Sequence, residues 1–229
     1  MTGRTQPTAV ITGASRGLGR ALATALAERG WRLVIDARRT EDLAAVAAGL
    51  PSAVAIPGDV TDPAHRVAVR DAVDSLDLLV NNASDLGPAP LPSLASYPLD
   101  GLRHVYETDV VAPLALTQLL LPKLRAANGT VVNVSSDAAV EAYPGWGGYG
   151  SAKAALDQIS SVLAAEEPDL RVYAVDPGDM RTEMHQAAFP GEDISDRPLP
   201  ESVVPALLAL LAQRPASGRI RLTDLAVPA

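Results

Sequence analysis

Residues 8–20 read Thr8-Ala9-Val10-Ile11-Thr12-Gly13-Ala14-Ser15-Arg16-Gly17-Leu18-Gly19-Arg20. A short apolar run with β-branched residues gives way to three glycines and then to an Ala/Leu-rich stretch. Glycines at 13, 17 and 19 allow a tight turn and a close approach of the backbone to a pyrophosphate. The helix opening behind them supplies amide donors and a favourable dipole. A glycine-rich turn without a ligand would look the same locally. Its place directly after an N-terminal apolar strand favours a nucleotide.

Working outward, the same alternation recurs along the whole chain. Apolar runs lie at Thr8–Thr12, Arg32–Asp36, Ala53–Pro57, Leu76–Val80, Thr130–Val134, Arg171–Val175 and Arg219–Leu222. Helical spacing occupies 17–30, 40–49, 62–75, 101–126, 149–166 and 201–213. No linker, repeat or charge block divides the sequence. Strand and helix at this rhythm predict right-handed βαβ units. The expected fold is α/β: a single Rossmann-type doubly wound domain over residues 1–229, with a seven-stranded parallel sheet flanked by helices. Ligands of such sheets bind at the carboxyl ends of the strands.

The composition excludes several classes. The chain has 229 residues and a formal net charge of −8, which argues against a nucleic-acid partner. Hydrophobic residues make up 48%, enough to build a core. There is no cysteine, so disulfide frameworks and thiolate zinc sites are out. His65, His104 and His185 are too scattered to suggest a metal centre, and no metal is expected; a surface position is expected for His185. Met1 to Thr8 lacks the regions of a signal peptide. Apolar stretches such as Val203–Ala212 reach about half a membrane span. A soluble cytoplasmic protein without membrane contact is the expectation.

The residues that follow each strand carry the chemistry. They are the glycine turn, then Asp36-Ala37-Arg38-Arg39, Gly58-Asp59-Val60, Asn81-Asn82-Ala83-Ser84, Ser135-Ser136 and Pro177-Gly178. Tyr149 and Lys153, four apart, share one helix face. A phenol titrates near pH 10 in water, and a neighbouring ammonium favours the phenolate. That pair makes an acid–base group poised nearer neutral pH. Of the 19 basic residues only Lys123 and Lys153 are lysines, so this placement is informative. A surface lysine and an interfacial tyrosine are the alternative.

Thr12-Gly13-x-x-x-Gly17-x-Gly19, Asn81-Asn82-Ala83, Ser136, Tyr149-x-x-x-Lys153 and Pro177-Gly178 with Thr182 occur in the order and spacing of the short-chain dehydrogenase/reductase family, which the chain resembles over nearly its full length. The segment Glu166–Val172 also resembles sepiapterin-reductase-like and benzil-reductase-like members. The resemblance implies a hydride transfer between a nicotinamide cofactor and a ketone or alcohol. Tyr149 would exchange the proton, Ser136 would hydrogen-bond the reacting oxygen, and Lys153 would lower the Tyr149 pKa and bind the nicotinamide ribose. Gly13, Ser15, Arg16, Gly17, Leu18 and Gly19 would surround the diphosphate and nearby ribose. Asp59 and Val60 would contact adenine, Asn82 would follow the adenosine ribose, and Pro177, Gly178 and Thr182 would hold the nicotinamide end. A small-molecule carbonyl or alcohol substrate and a homodimer or homotetramer are implied.

Three departures stand out. Asp109 occupies the place of the family's central-helix Asn, whose carbonyl extends a proton relay, and is counted with the catalytic group. Ser84 replaces a glycine, and the stretch from Asp62 to Leu76 is short. Cofactor choice is legible after the second strand. Aligned to the family it resembles, Ala37 rather than Asp36 falls at the discriminating position, and Arg38 follows it as in NADP-preferring members. With Arg16 this predicts NADP (NADPH), with NAD the alternative. Residues 179–200 are expected to form a substrate lid bent at Pro190-Gly191. Trp146, Tyr143 and Met184 are candidate substrate contacts, as is Tyr97, with edge packing the alternative. The reading is an NADPH-dependent carbonyl reductase. The competitors are an NAD-dependent alcohol dehydrogenase working oxidatively and a non-catalytic nucleotide-sensing domain.

Overall fold

A computed structural model describes residues 6–225. Seven parallel strands form one sheet: β1 (Thr8–Ile11), β2 (Arg32–Ala37), β3 (Ala53–Pro57), β4 (Leu78–Asn81), β5 (Thr130–Val134), β6 (Arg171–Asp176) and β7 (Gly218–Arg221), in the order β3-β2-β1-β4-β5-β6-β7. The helices are α1 (Gly17–Glu28), α2 (Thr40–Ala48), α3 (Pro63–Asp71), α4 (Leu99–Tyr106), α5 (Ala112–Ala127), α6 (Gly147–Glu166), α7 (Glu183–Ala188) and α8 (Pro200–Gln213). The chain order reverses at β1, which pairs with β2 on one side and β4 on the other. That switch point opens a crevice at the carboxyl edge.

Alternation along each strand splits the core into two layers. Ile11, Ile35, Val80 and Val175 face one way and pack with Leu18, Leu22 and Leu26 of α1 and Leu207 and Leu210 of α8. Val10, Val34, Leu79 and Val131 face the other way and meet Val69 of α3 and Leu116, Leu120 and Leu124 of α5.

The long helix expected over 101–126 departs from the sequence reading. A π-helical turn over Glu107–Val111 separates α4 from α5. Pro113, four residues after Asp109, has no N–H to close the usual bond to the Asp109 carbonyl, and the helix widens there. The whole stretch Leu99–Ala127 is long and apolar enough, by length and composition, to cross a membrane, more than the half-span read from the sequence. Part of that apolar surface is spent on the sheet through Leu116, Leu120 and Leu124. The fourth strand starts at Leu78, two residues late, and α3 ends at Asp71. The segment 179–200 contains a helix not anticipated, α7, with Thr182 as its cap.

Gly19 sits where α1 crosses the glycine turn. A Cβ there would lie 2.6 Å from the Asn82 amide nitrogen and 2.7 Å from the Gly13 carbonyl oxygen. Gly19→Ala would gain helix propensity yet is expected to lose about 1–3 kcal/mol of stability, the scale of an overpacked contact. Urea denaturation checks this. A variant as stable as the parent would show that the turn can move freely.

Candidate active site

A cleft of about 860 Å³ runs along the carboxyl edge of the sheet. Of the residues singled out from the sequence, Gly13, Ser15, Arg16, Gly17, Leu18, Arg38, Asp59, Val60, Asn82, Ser136, Tyr143, Trp146, Tyr149, Lys153, Pro177, Gly178, Thr182 and Met184 all line it. Gly19 does not; its bare α-carbon packs against Asn82 and Gly13 behind the turn. Asp109 is fully buried beneath the cleft and meets it through Lys153 and Ser84, which line it. Tyr97 lies behind Gly87 and Gly148, where the missing side chains leave room for its ring, and does not line the cleft.

At one end the glycine turn is held from below. Asn82 donates its side-chain amide to the carbonyls of Thr12 (2.8 Å) and Gly13 (3.2 Å), and the Thr12 hydroxyl accepts from the amides of Asn82 and Ala83. Asp36 accepts from the Gly13 amide at 2.9 Å and meets His65 Nε2 at 3.3 Å. Burial pushes the Asp36 carboxyl above its ordinary range, against the bonds to His65 and Gly13. His65 is therefore an interior group. Arg66 is also buried and donates to the Val60 carbonyl at 2.6 Å.

Gly13 (φ +65°) and Gly17 (φ +56°) take left-handed backbone that suits glycine. Only Thr182 Cγ2 lies near the place of a Gly17 side chain, at 3.7 Å. Helix α1 starts without a side-chain cap and without an acidic residue in its first turn. Its leading amides are free to meet an anion from the cleft. Bare turn, uncapped helix and elongated cleft fit a dinucleotide.

At the other end Tyr149 and Lys153 descend from α6. The Lys153 ammonium donates to the Val134 carbonyl at 2.9 Å, pairs with Asp109 Oδ2 at 3.2 Å and lies 5.3 Å from the Tyr149 ring centre. Asp109 in turn accepts from the Ser84 hydroxyl (2.6 Å) and the Asp85 amide (2.7 Å). Burial alone would lower the Lys153 pKa, but Asp109 and the phenol hold it above the usual value. Burial raises Asp109, opposed by Lys153.

Tyr149 departs from the sequence expectation. Burial raises its pKa and outweighs the lowering by Lys153; the Asp109 charge raises it further, while the hydroxyls of Ser84 and Ser136 lower it. In this cleft the phenol is held as the acid. Ser136 donates to Asp137 Oδ1 at 3.0 Å and accepts from the Ala138 amide at 3.2 Å.

Over this end lies the segment 179–200. Met184 packs with Trp146, Tyr149 and Leu86, and Phe189 lies 5.9 Å from the Trp146 ring. Gly191 takes φ +82° at the expected bend. His185 tucks against Phe189, ring centres 4.9 Å apart, and is not a surface histidine.

Sequence reasoning missed Ser84 as a partner of Asp109, although its replacement of a glycine beside the Asp109 departure was visible. It also missed Arg219, which donates to the Ser136 carbonyl at 2.9 Å and to Asp176 at 3.2 Å. No local pattern marks that arginine, because its partners are 83 and 43 residues away.

The short chain dehydrogenase family profile matches residues 7–193. Serine 3-dehydrogenase of Agrobacterium fabrum is 38% identical over 184 residues, covering 77% of this chain and 73% of that protein. Sepiapterin reductase of Mus musculus is 36% identical over 200 residues, 78% and 76% of the two chains. A short chain dehydrogenase from Shigella flexneri, solved in complex with NADP, superposes with a TM-score of 0.87 at 27% identity, covering 95% of this chain and 97% of that one.

The charges around Tyr149 make a direct test. Asp109→Asn removes a negative charge that raises the phenol. The Tyr149 titration is expected to move to lower pH, followed by NMR of tyrosine labelled with carbon-13 at the ring carbon bearing the hydroxyl. A titration that stays or moves upward would show that Asp109 acts on Lys153 alone.

Proposed function

Because the chain belongs to the short-chain dehydrogenase family, oxidoreductases that interconvert alcohols and carbonyls with a nicotinamide cofactor, we propose that it is an NADPH-dependent carbonyl reductase. The observation that carries this reading is one continuous cleft. Tyr149, Ser136 and Lys153 meet at one end, and Arg16, Arg38 and Arg39 gather at the other.

Cofactor choice follows from what each side chain at the end of β2 is doing. Asp36 is turned inward, 2% exposed, and each of its oxygens is already engaged, by Gly13 and by His65, which disfavours a further bond to a ribose 2′-hydroxyl. Ala37 carries no acid. The guanidinium groups nearby favour a 2′-phosphate through charge-assisted hydrogen bonds. The NADP complex of the Shigella flexneri protein is in keeping with this.

The nicotinamide, when bound, supplies the hydride that reduces the carbonyl carbon. The chain supplies the proton and the setting. The Tyr149 phenol, kept protonated by burial, passes its proton to the carbonyl oxygen as that oxygen becomes an alcohol. The Lys153 ammonium steadies the phenolate left behind, and its own charge is held by Asp109 and the Val134 carbonyl. Asp109 thus acts through Lys153 as a positioning residue. Ser136 places the reacting oxygen beside the phenol. Trp146, Tyr143, Met184, Phe189 and Leu86 wall the substrate end, which suits an apolar or aromatic ketone. The segment 179–200 covers that end as a lid. A cytoplasmic location and a homodimer or homotetramer go with the same reading.

Tyr149→Phe keeps the ring and removes the proton. Carbonyl reduction is expected to fall by roughly two or more orders of magnitude, the scale of general acid catalysis, while cofactor binding persists. A panel of ketones assayed with NADPH and NADH by absorbance of the reduced cofactor measures it. Near-parental turnover by the variant would sink the role of Tyr149, and faster turnover with NADH would sink the choice of NADPH.

A further inference from the structure

The arginines at the adenosine end already hold an anion. Arg16, from the glycine turn, donates to Glu183 Oε2, and Arg39, from the turn after β2, lies 3.6 Å from the same oxygen. The three side chains come from three separate segments and all line the cleft. Glu183 is the first residue of α7, fixed there by the Thr182 cap, whose hydroxyl accepts from the His185 amide at 3.1 Å. Arg39 is shared with Asp42 at 3.4 Å, and the neighbouring Arg20 has its own partner, Glu201, at 3.8 Å. The side chains of Arg16, Arg39 and Glu183 are 44%, 58% and 63% exposed. Ion pairs this open are weak and exchange readily. A carboxylate and a phosphate monoester offer a guanidinium the same paired acceptor oxygens, the phosphate with more charge.

We propose that Glu183 is an internal stand-in for the cofactor's 2′-phosphate. It occupies Arg16 and Arg39 in the free protein and is displaced when NADPH binds, whereas NADH leaves it in place. Glu183 is then a specificity-determining residue that dampens the preference set by the arginines. Because it belongs to α7, the exchange also ties the helix carrying Met184 to the identity of the cofactor. The choice of NADPH above supplies the identity of the anion.

The test is a set of dissociation constants, by titration calorimetry on the full chain, for the parent, Glu183→Gln, Arg39→Gln and the double variant. The ligands are NADPH, NADH, 2′-AMP and 5′-AMP. All the altered side chains are exposed, and circular dichroism checks that each variant is folded. Glu183→Gln is expected to tighten NADPH and 2′-AMP about three- to ten-fold, the worth of one or two exposed ion pairs, and to leave NADH and 5′-AMP within about two-fold. In the Arg39→Gln background that gain should shrink, since the two residues act on each other. Equal tightening of all four ligands would reduce Glu183 to a general repulsion, and unchanged or weaker NADPH and 2′-AMP binding would overturn the stand-in outright. If the parent binds NADH more tightly than NADPH, the choice of NADPH fails separately. The 2′-AMP ratio still decides the role of Glu183.

Discussion

The Lys153 ammonium is carried into the interior, 2% exposed, and much of the catalytic end is arranged around that charge. An unpaired ammonium at this depth would cost several kcal/mol. Two acceptors offset the cost, the Val134 carbonyl at the end of β5 and the Asp109 carboxylate. Each brings further demands. Asp109 is itself a buried charge and needs the Ser84 hydroxyl and the Asp85 amide from the loop after β4. It reaches Lys153 from a π-helical turn beside Pro113. One charge thus ties together β5, α6, the loop after β4 and the junction of α4 with α5. Replacing a glycine by Ser84 and an amide by Asp109 makes sense as a pair, because the serine donates what the carboxylate accepts.

The opposite end obeys a different economy. There the buried acid, Asp36, is consumed by structure: it holds the Gly13 amide and meets His65. The Asn82 amide is likewise consumed by the carbonyls of Thr12 and Gly13. With the local acid turned inward, Arg16, Arg20, Arg38 and Arg39 line the cleft around the glycine turn, and the acids that partner three of them, Glu183 and Glu201, come from α7 and α8.

Most of the fold was legible because both of its periodicities are strong. Runs such as Thr130–Val134 and Ala53–Pro57 are bounded by glycine, proline or polar residues, and the strands keep those bounds. The boundaries that moved did so where tertiary contacts decide. Leu76 is apolar but is buried before the strand begins. The π-helical turn escaped because the apolar spacing over 101–126 runs straight through Pro113, although its missing N–H marks an interior break. Most of the motif residues that the family resemblance singles out line one cleft. The supports of the site could not be placed, since Arg219 with Ser136 and His65 with Asp36 meet only through the sheet order. Tyr149 was misjudged for a related reason. Spacing on a helix reports the neighbouring ammonium but not the depth of burial, and here burial is the larger effect.

Ser136 shows how such supports redistribute the work. Its hydroxyl has one proton, and that proton goes to the Asp137 carboxylate, which is also held by the Tyr143 hydroxyl at 3.0 Å. Its oxygen already accepts from the Ala138 amide. To donate to a carbonyl oxygen, Ser136 must give up a bond to a charged group, worth about 1.5–3 kcal/mol. To accept a hydrogen bond, from the phenol or from an alcohol, it need give up nothing. The phenol of Tyr149, protonated by its burial, and the Ser136 hydroxyl, once turned from Asp137, are then the two donors for a carbonyl oxygen.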